Sequence, residues 1–223
     1  MKTLSLELII ESNDLKIIRT AGLSIALAKL VNYQVNQFNF KLEASYSPYN
    51  LIWLVFEPFE RNQISWEETY SIYAASKINL EVGDTISKVS QTAFPSAHAA
   101  YYTFTSAGTF EGPFTGPDSP SSGSYKVNNK MPYKLYQALT FGLQQEVSIN
   151  NGKTIGPLPV NRVVVPASFP VNFTPLATVQ VWLQNPLTTG SVISEPPGNS
   201  TEVVFNDGMT KSLKYNPNVG HFV

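Results

Sequence analysis

The chain has 223 residues, 43% apolar and 12% aromatic, enough to bury a substantial core, yet only 14% carry charge against a usual share of roughly 25%. With 15 Lys plus Arg against 16 Asp plus Glu, the net charge of −1 creates no long-range field for nucleic acid or anionic lipid, and nucleic acid drops out as a partner. No cysteine is present, which excludes a disulfide framework, a thiolate nucleophile and any zinc site built on sulfur.

Leu4, Leu6 and Leu8 alternate with Ser5 and Glu7, which predicts a first strand ending at Ser12-Asn13-Asp14. Glu7 and Glu11 interrupt the apolar run before an export signal could form, and no run approaches the roughly 20 residues of a membrane-spanning helix. The expectation is a cytoplasmic protein. Leu15 to Ile18 reads as a continuation of extended chain beyond the bend, and the alternation of Leu23, Ile25 and Leu27 as a further strand, with a helical spacing of Leu23, Leu27, Leu30 and Val31 as the competing reading. Residues 33–48 are irregular. The continuous apolar run 51–56 between Pro48 and Pro58 predicts a buried strand, and 64–74 a long strand lying antiparallel to it.

A tight turn at Gly83-Asp84 leads to a strand reaching Val89, and 99–105 is another. Seven Gly and Pro residues within 106–124 predict a long Gly/Pro/Ser-rich loop carrying Phe110 and Phe114, either as anchors onto the body or as an exposed contact patch. An extended pattern over 133–149 runs into Asn150-Asn151-Gly152, a hairpin turn of the primed type. Short strands follow at 163–165, 168–173, 177–183, 191–194 and 201–205, and Asp207-Gly208 predicts a hairpin joining 203–205 to 209–215. Pro159, Pro166, Pro170, Pro175 and Pro186 mark several of the later strands as edges. Many short strands, no internal repeat and no linker predict an all-β fold: a single-domain antiparallel β-sandwich, jelly-roll or Greek-key like, spanning 1–223.

Alternation along 64–74 puts Ile64, Trp66, Glu68, Tyr70, Ile72 and Ala74 on one face, so Glu68 is a carboxylate on an apolar side. Such a group is either a catalytic acid or, in the favoured reading, a structural carboxylate paired with backbone amides, a Tyr hydroxyl, or Arg19, Arg61 or Arg162. Glu57, Glu60, Glu67 and Glu68 lack the interleaved Asp and Gly of a calcium loop, so no metal and no cofactor is expected. Ser96 and His98 are close in sequence without an acidic orienter, and no phosphate-binding glycine loop exists. Trp66 and Trp182 sit on strands among apolar neighbours and read as core. Tyr101 and Tyr102 face opposite ways, so one is exposed.

The strand Ser65-Trp66-Glu67-Glu68, the turn at Gly83-Asp84 and the late strand Thr178-Val179-Gln180-Val181-Trp182-Leu183 resemble a group of uncharacterised fungal all-β proteins, some with toxin-like labels. The resemblance implies an all-β, cytosolic, non-enzymatic protein and carries over no catalytic residue. The expectation is therefore a protein that acts by surface recognition or self-assembly, a defence lectin or membrane-active protein. Tyr101, Tyr102, Phe110 and Phe114 are its candidate binding residues, and its partners are further copies of itself and a glycan or membrane surface. A structural protein packing into a homopolymer or intracellular crystal, and a hydrolase using Glu68 with His98, are the alternatives.

Overall fold

The structure is a computed structural model that describes residues 3–37, 40–42, 50–185, 187–205 and 210–223. The regular structure of the described residues is strand but for one nine-residue helix. One sheet contains β1 (Thr3–Ile9), β5 (Arg61–Glu67), β6 (Ser71–Ala75), β7 (Lys88–Gln91), β11 (Ala138–Ile149), β12 (Ile155–Pro159), β13 (Val163–Pro166), β16 (Thr210–Asn216) and β17 (His221–Phe222). The other contains β2 (Ser24–Gln37), β3 (Phe40–Leu42), β4 (Leu54–Phe56), β8 (Ala100–Phe104), β9 (Phe110–Phe114), β10 (Tyr125–Asn129), β14 (Pro170–Gln184) and β15 (Thr201–Val204). Inward residues of both sheets, Leu4, Leu6, Ile64 and Leu143 from one and Ile25, Leu27, Val127 and Val181 from the other, join one apolar cluster. A smaller cluster of Ala26, Ala28, Ile52, Trp182 and Ile193 packs apart from it. None of the described helices is long and apolar enough to cross a membrane.

The sheets are mixed rather than purely antiparallel, because β1 runs parallel to β16 and β8 parallel to β10. The expected long strand over 64–74 is two strands, β5 and β6, interrupted at residues 68–70. Both lie along one side of β11, while β12 and β13 lie along the other: Thr140 is flanked by Ala75 and Val164, and Gln144 by Ser71 and Pro159. The apolar run 51–56 does not pair with this strand. Only Leu54–Phe56 is a strand, on β2 in the opposite sheet, and the run is apolar because Trp53 and Leu54 enter the main core and Ile52 the smaller one.

Residues expected to continue as strand after the first bend form the helix α1 (Ser12–Thr20), where Leu15 and Ile18, three apart, share the buried face. Residues 33–37 continue β2, and β3 pairs back on it, so part of the irregular stretch is regular; Tyr46, Pro48 and Tyr49 fall outside the described residues. The long loop is shorter than expected, because β9 pairs with β8 inside it; an edge strand tolerates Pro113, which has no amide to donate. The two runs 168–173 and 177–183 are one strand, β14, with a register shift between Pro175 and Val179. Pro170 and Pro175 are thus in a central strand, Pro159 and Pro166 on strands paired only to β11, and Pro186 outside the described residues. Residues 191–194 contribute only isolated bridges.

The turn at 149–152 is of the primed type: Asn150 and Asn151 have φ of 52° and 56°, and Gly152 N–H donates to Ile149 O at 2.8 Å. The second hairpin does not form. Asp207-Gly208 falls outside the described residues, and its flanking strands lie in different sheets, β15 on β14 and β16 on β1.

Two buried positions fix the sheet that carries β11. Asn62, fully buried, donates to Leu8 O at 3.1 Å and Phe59 O at 2.7 Å and accepts from Phe59 N at 2.8 Å, closing the turn into β5. Asn62→Ala leaves those buried backbone groups unpaired and is expected to lower stability by about 2 kcal/mol in urea unfolding; a loss under about 0.5 kcal/mol would show that the turn holds without it. Gly142 pairs with Tyr73, whose hydroxyl donates to Asn161 O at 2.7 Å, and a Cβ built on Gly142 would lie 2.1 Å from that same oxygen.

Candidate functional site

The alternation that put Glu68 inward holds across the strand break, and its partner is Lys29 of β2, reaching over from the other sheet. Ile25, Leu27, Lys29 and Val31 form the inward series of β2, so this lysine occupies a core position and has no solvent exposure. Its ammonium donates to Glu68 Oε1 at 2.7 Å, Tyr70 Oη at 2.9 Å and Gln145 Oε1 at 2.9 Å, which uses all three of its N–H donors. Trp53, Trp66 and Tyr70 surround it, their ring centroids 5.0–5.2 Å from the nitrogen, close enough for cation–π attraction. Glu68 also accepts from Trp66 Nε1 at 2.6 Å and Tyr70 Oη at 2.9 Å.

Burial pushes the Glu68 carboxyl up, but the charge of Lys29 and the bonds from Lys29, Trp66 and Tyr70 outweigh it and hold it below the usual carboxylate range. Burial pulls Lys29 down, with Glu68 opposing. Burial, then the Glu68 charge, pushes Tyr70 well up, and burial pushes Tyr125 beside it up to about 12. The polar groups of Lys29, Glu68, Tyr70, Trp66 and Gln145 are all engaged with one another or with Glu67 O, while the buried Trp53 Nε1 has no hydrogen-bond partner. Of the proposed partners, the Tyr hydroxyl is right, and Arg19 and Arg61 are engaged elsewhere. Arg19 donates to Pro58 O and Arg61 to Glu7, each on the periphery.

The node shapes the outer face of the same sheet. Gln145 Nε2 donates to Glu67 O at 2.6 Å and Thr69 N–H to the same oxygen at 2.8 Å, fixing the break behind Glu67. Ser96 N–H donates to Tyr70 O at 2.8 Å, and the Thr92 hydroxyl accepts from Ile72 N at 2.9 Å, which docks 92–96 against β6 and delivers Phe94 to the outside. The result is a groove of about 360 Å³ lined by Thr3, Ser65, Glu67, Thr69, Phe94, Glu146, Ser148 and Thr154, with the core residues Trp66 and Val147 beneath, within the size range of small-molecule sites. Its floor follows from register. Ser5 faces Ser65, and Ser65 faces Ser148, so small hydroxyls line up across β1, β5 and β11, and Ser148 Oγ bonds Thr154 Oγ1 at 2.9 Å. Two residues along, the antiparallel direction brings Glu67 and Glu146 to the same side of that row.

The four aromatic candidates separate. Tyr102 is buried and its hydroxyl accepts from Ala97 N–H at 2.8 Å; Phe110 packs on the core, 4.9 Å from Phe104. Both also line a cavity of about 310 Å³ with Thr92, Ser96, Gly112 and Pro113. Half-buried Tyr101 and exposed Phe114 lie against each other on the outside, 5.4 Å apart. Ser96 is buried and bonded to Thr92, whereas His98 is exposed and accepts from Gly123 N–H, so neither joins Glu68. Glu60 accepts from Ser12 at 2.6 Å, and among the described residues no group of three or more His, Asp or Glu converges. Trp66 and Trp182 are core.

Lys29 and the groove were missed in the sequence. A lysine in the inward series of an alternating strand marks a buried charge, and Ser and Thr at outward positions of neighbouring strands mark the groove; the latter is visible only once register is known. Comparisons of the chain with protein-family models, with curated proteins and with solved structures found no match.

Proposed function

We propose that this is a non-enzymatic recognition protein of the β-sandwich type, jelly-roll or Greek-key like, whose groove over the β5–β6 break takes a neutral carbohydrate. The supporting observation is the lining: five hydroxyl side chains and two carboxylates, which can meet the alternating donors and acceptors of a sugar, beside the outward ring of Phe94 for its apolar face. Glu67 and Glu146 add negative charge where sugar hydroxyls would donate, which favours neutral over acidic glycans. The sparse surface charge favours homo-oligomerisation, which would present several such grooves at once.

Glycan-array binding followed by calorimetry tests this. Neutral glycans are expected to bind and sialylated or sulfated ones not, with Glu67→Gln and Glu146→Gln each weakening affinity roughly tenfold, as for loss of a hydrogen bond to a charged group. Binding that survives both substitutions, or no binding to any neutral glycan, would remove the proposal. Light scattering over a concentration series reads the oligomer, and a monomer throughout would remove that part.

A further inference from the structure

A second surface, distant in sequence from the groove and independent of it, lies between β10 and β11. Residues 132–137 are all exposed, and within them Tyr133, Leu135 and Tyr136 are 64%, 61% and 46% exposed, three large apolar side chains in four positions. The segment is a built turn. Leu135 and Tyr136 N–H both donate to Pro132 O, at 2.9 and 3.1 Å. On one side Met131 is buried, and Asn129, also buried, accepts from Met131 N and donates to Val165 O and Pro166 O. On the other, Ala167 N–H donates to Gln137 O at 2.9 Å. The apolar tip is therefore held out from a fixed base.

Along the chain its charge is one-sided, with Glu111 of β9 two strands from Asn128 on the same sheet. From residue 119 to 145 the chain has no Asp or Glu, while Lys130 and Lys134, both exposed, flank and punctuate the turn. The net charge of the whole protein is near zero, but a Lys beside a surface acts within a Debye length of roughly 10 Å, so local sign decides. We infer that the turn at 132–136 is a docking tip for an anionic lipid bilayer surface. Tyr133, Leu135 and Tyr136 enter the headgroup region, where amphipathic rings partition, and Lys130 and Lys134 meet the lipid phosphates and carboxylates. A convex tip of five residues is far smaller than the roughly 800 Å² per partner of a stable protein interface, and a fluid surface needs no matching cavity. Because the turn is already folded, little ordering entropy opposes docking.

The test is co-sedimentation with phosphatidylcholine vesicles with and without about 30 mol% phosphatidylserine, a fraction that gives a negative surface potential. Binding is expected only to the anionic vesicles. It should fall at least tenfold in Tyr133→Ser/Leu135→Ser/Tyr136→Ser and severalfold in Lys130→Gln/Lys134→Gln or at high salt, with far-UV circular dichroism unchanged. Leu135→Trp provides a second readout, a blue shift of the added emission on anionic vesicles. No binding to anionic vesicles, equal binding by the triple variant, no shift from Leu135→Trp, or pelleting without vesicles that the triple variant abolishes would overturn the inference; the last would assign the tip to a second copy of the chain.

Discussion

Glu68→Gln is expected to destabilise the protein by about 3–5 kcal/mol, the range for removing one partner of a buried ion pair, although the change is nearly isosteric. The reason lies with Lys29. It has no exposure, and a neutral amide leaves its ammonium facing two aromatic rings, a phenol and Gln145 with no countercharge. The double variant Lys29→Met/Glu68→Gln removes the stranded charge and is expected to regain at least half of the loss, because replacing both members of such a pair is often close to neutral. Equilibrium urea unfolding of the single and double variants checks both statements. A single-variant loss under about 1 kcal/mol would show that Lys29 does not depend on Glu68.

The same pair sets the acid limb. The folded pKa of Glu68 lies below its ordinary value, so the unfolded chain binds this proton more readily than the folded one. Its contribution is present above the ordinary carboxylate range and lost as pH falls through the depressed folded value. Stability of the wild type should fall on acidification below about pH 4.5 more steeply than that of the double variant, which lacks the group. Parallel acid limbs would contradict this.

Gly142→Ala is the second large effect. The added Cβ would sit 2.1 Å from the backbone oxygen of Asn161 and 2.7 Å from the Tyr73 ring and hydroxyl, and the nearest contact is backbone rather than a side-chain end that could swing away. Relief requires β11 to separate from residue 161, which strains both the Tyr73 bond to Asn161 O and the 2.8 Å bond from Leu143 N–H to Asn161 Oδ1. A loss of about 3 kcal/mol is expected, at the upper end for overpacking. Tyr73→Phe/Gly142→Ala removes the hydroxyl but not the clash with Asn161 O, and should recover little. Thermal unfolding of both distinguishes a backbone clash from a clash with the hydroxyl.

Inside and outside were legible in the sequence, because alternation depends only on the pleat. Ile64, Trp66, Glu68, Tyr70, Ile72 and Ala74 all point inward even though the strand breaks among them. The break itself was not legible. Glu68-Thr69-Tyr70 contains no Gly, Pro or Asn, and what interrupts the ladder there is tertiary: an ammonium from the other sheet and an amide from β11. The helix α1 was hidden for the opposite reason. Ser12-Asn13-Asp14 reads as a stop, while the three-residue spacing of Leu15 and Ile18 carries the helical signal. Gly112 and Pro113 concealed β9, because both residues break central strands and an edge strand accepts them. The groove depends on Ser65 lying opposite Ser148, a pairing set by sheet order and not by either residue's neighbours.

The parallel pairing of β1 with β16 has a consequence in time. Ser212 Oγ donates to Glu7 Oε2 at 3.1 Å across a separation of 205 positions, so one edge of β1 waits for that length of chain to be synthesised. At roughly 5–20 residues per second, β1 stands for some ten seconds or more with a row of unpaired amides and carbonyls, open to another nascent chain. The outward residues of β1 are Thr3, Ser5, Glu7 and Ile9, three of them polar. Polar side chains there, one of them charged, make the wait safer than an apolar edge would, and the C-terminal strands act as the closing piece rather than as a late ornament of the sheet.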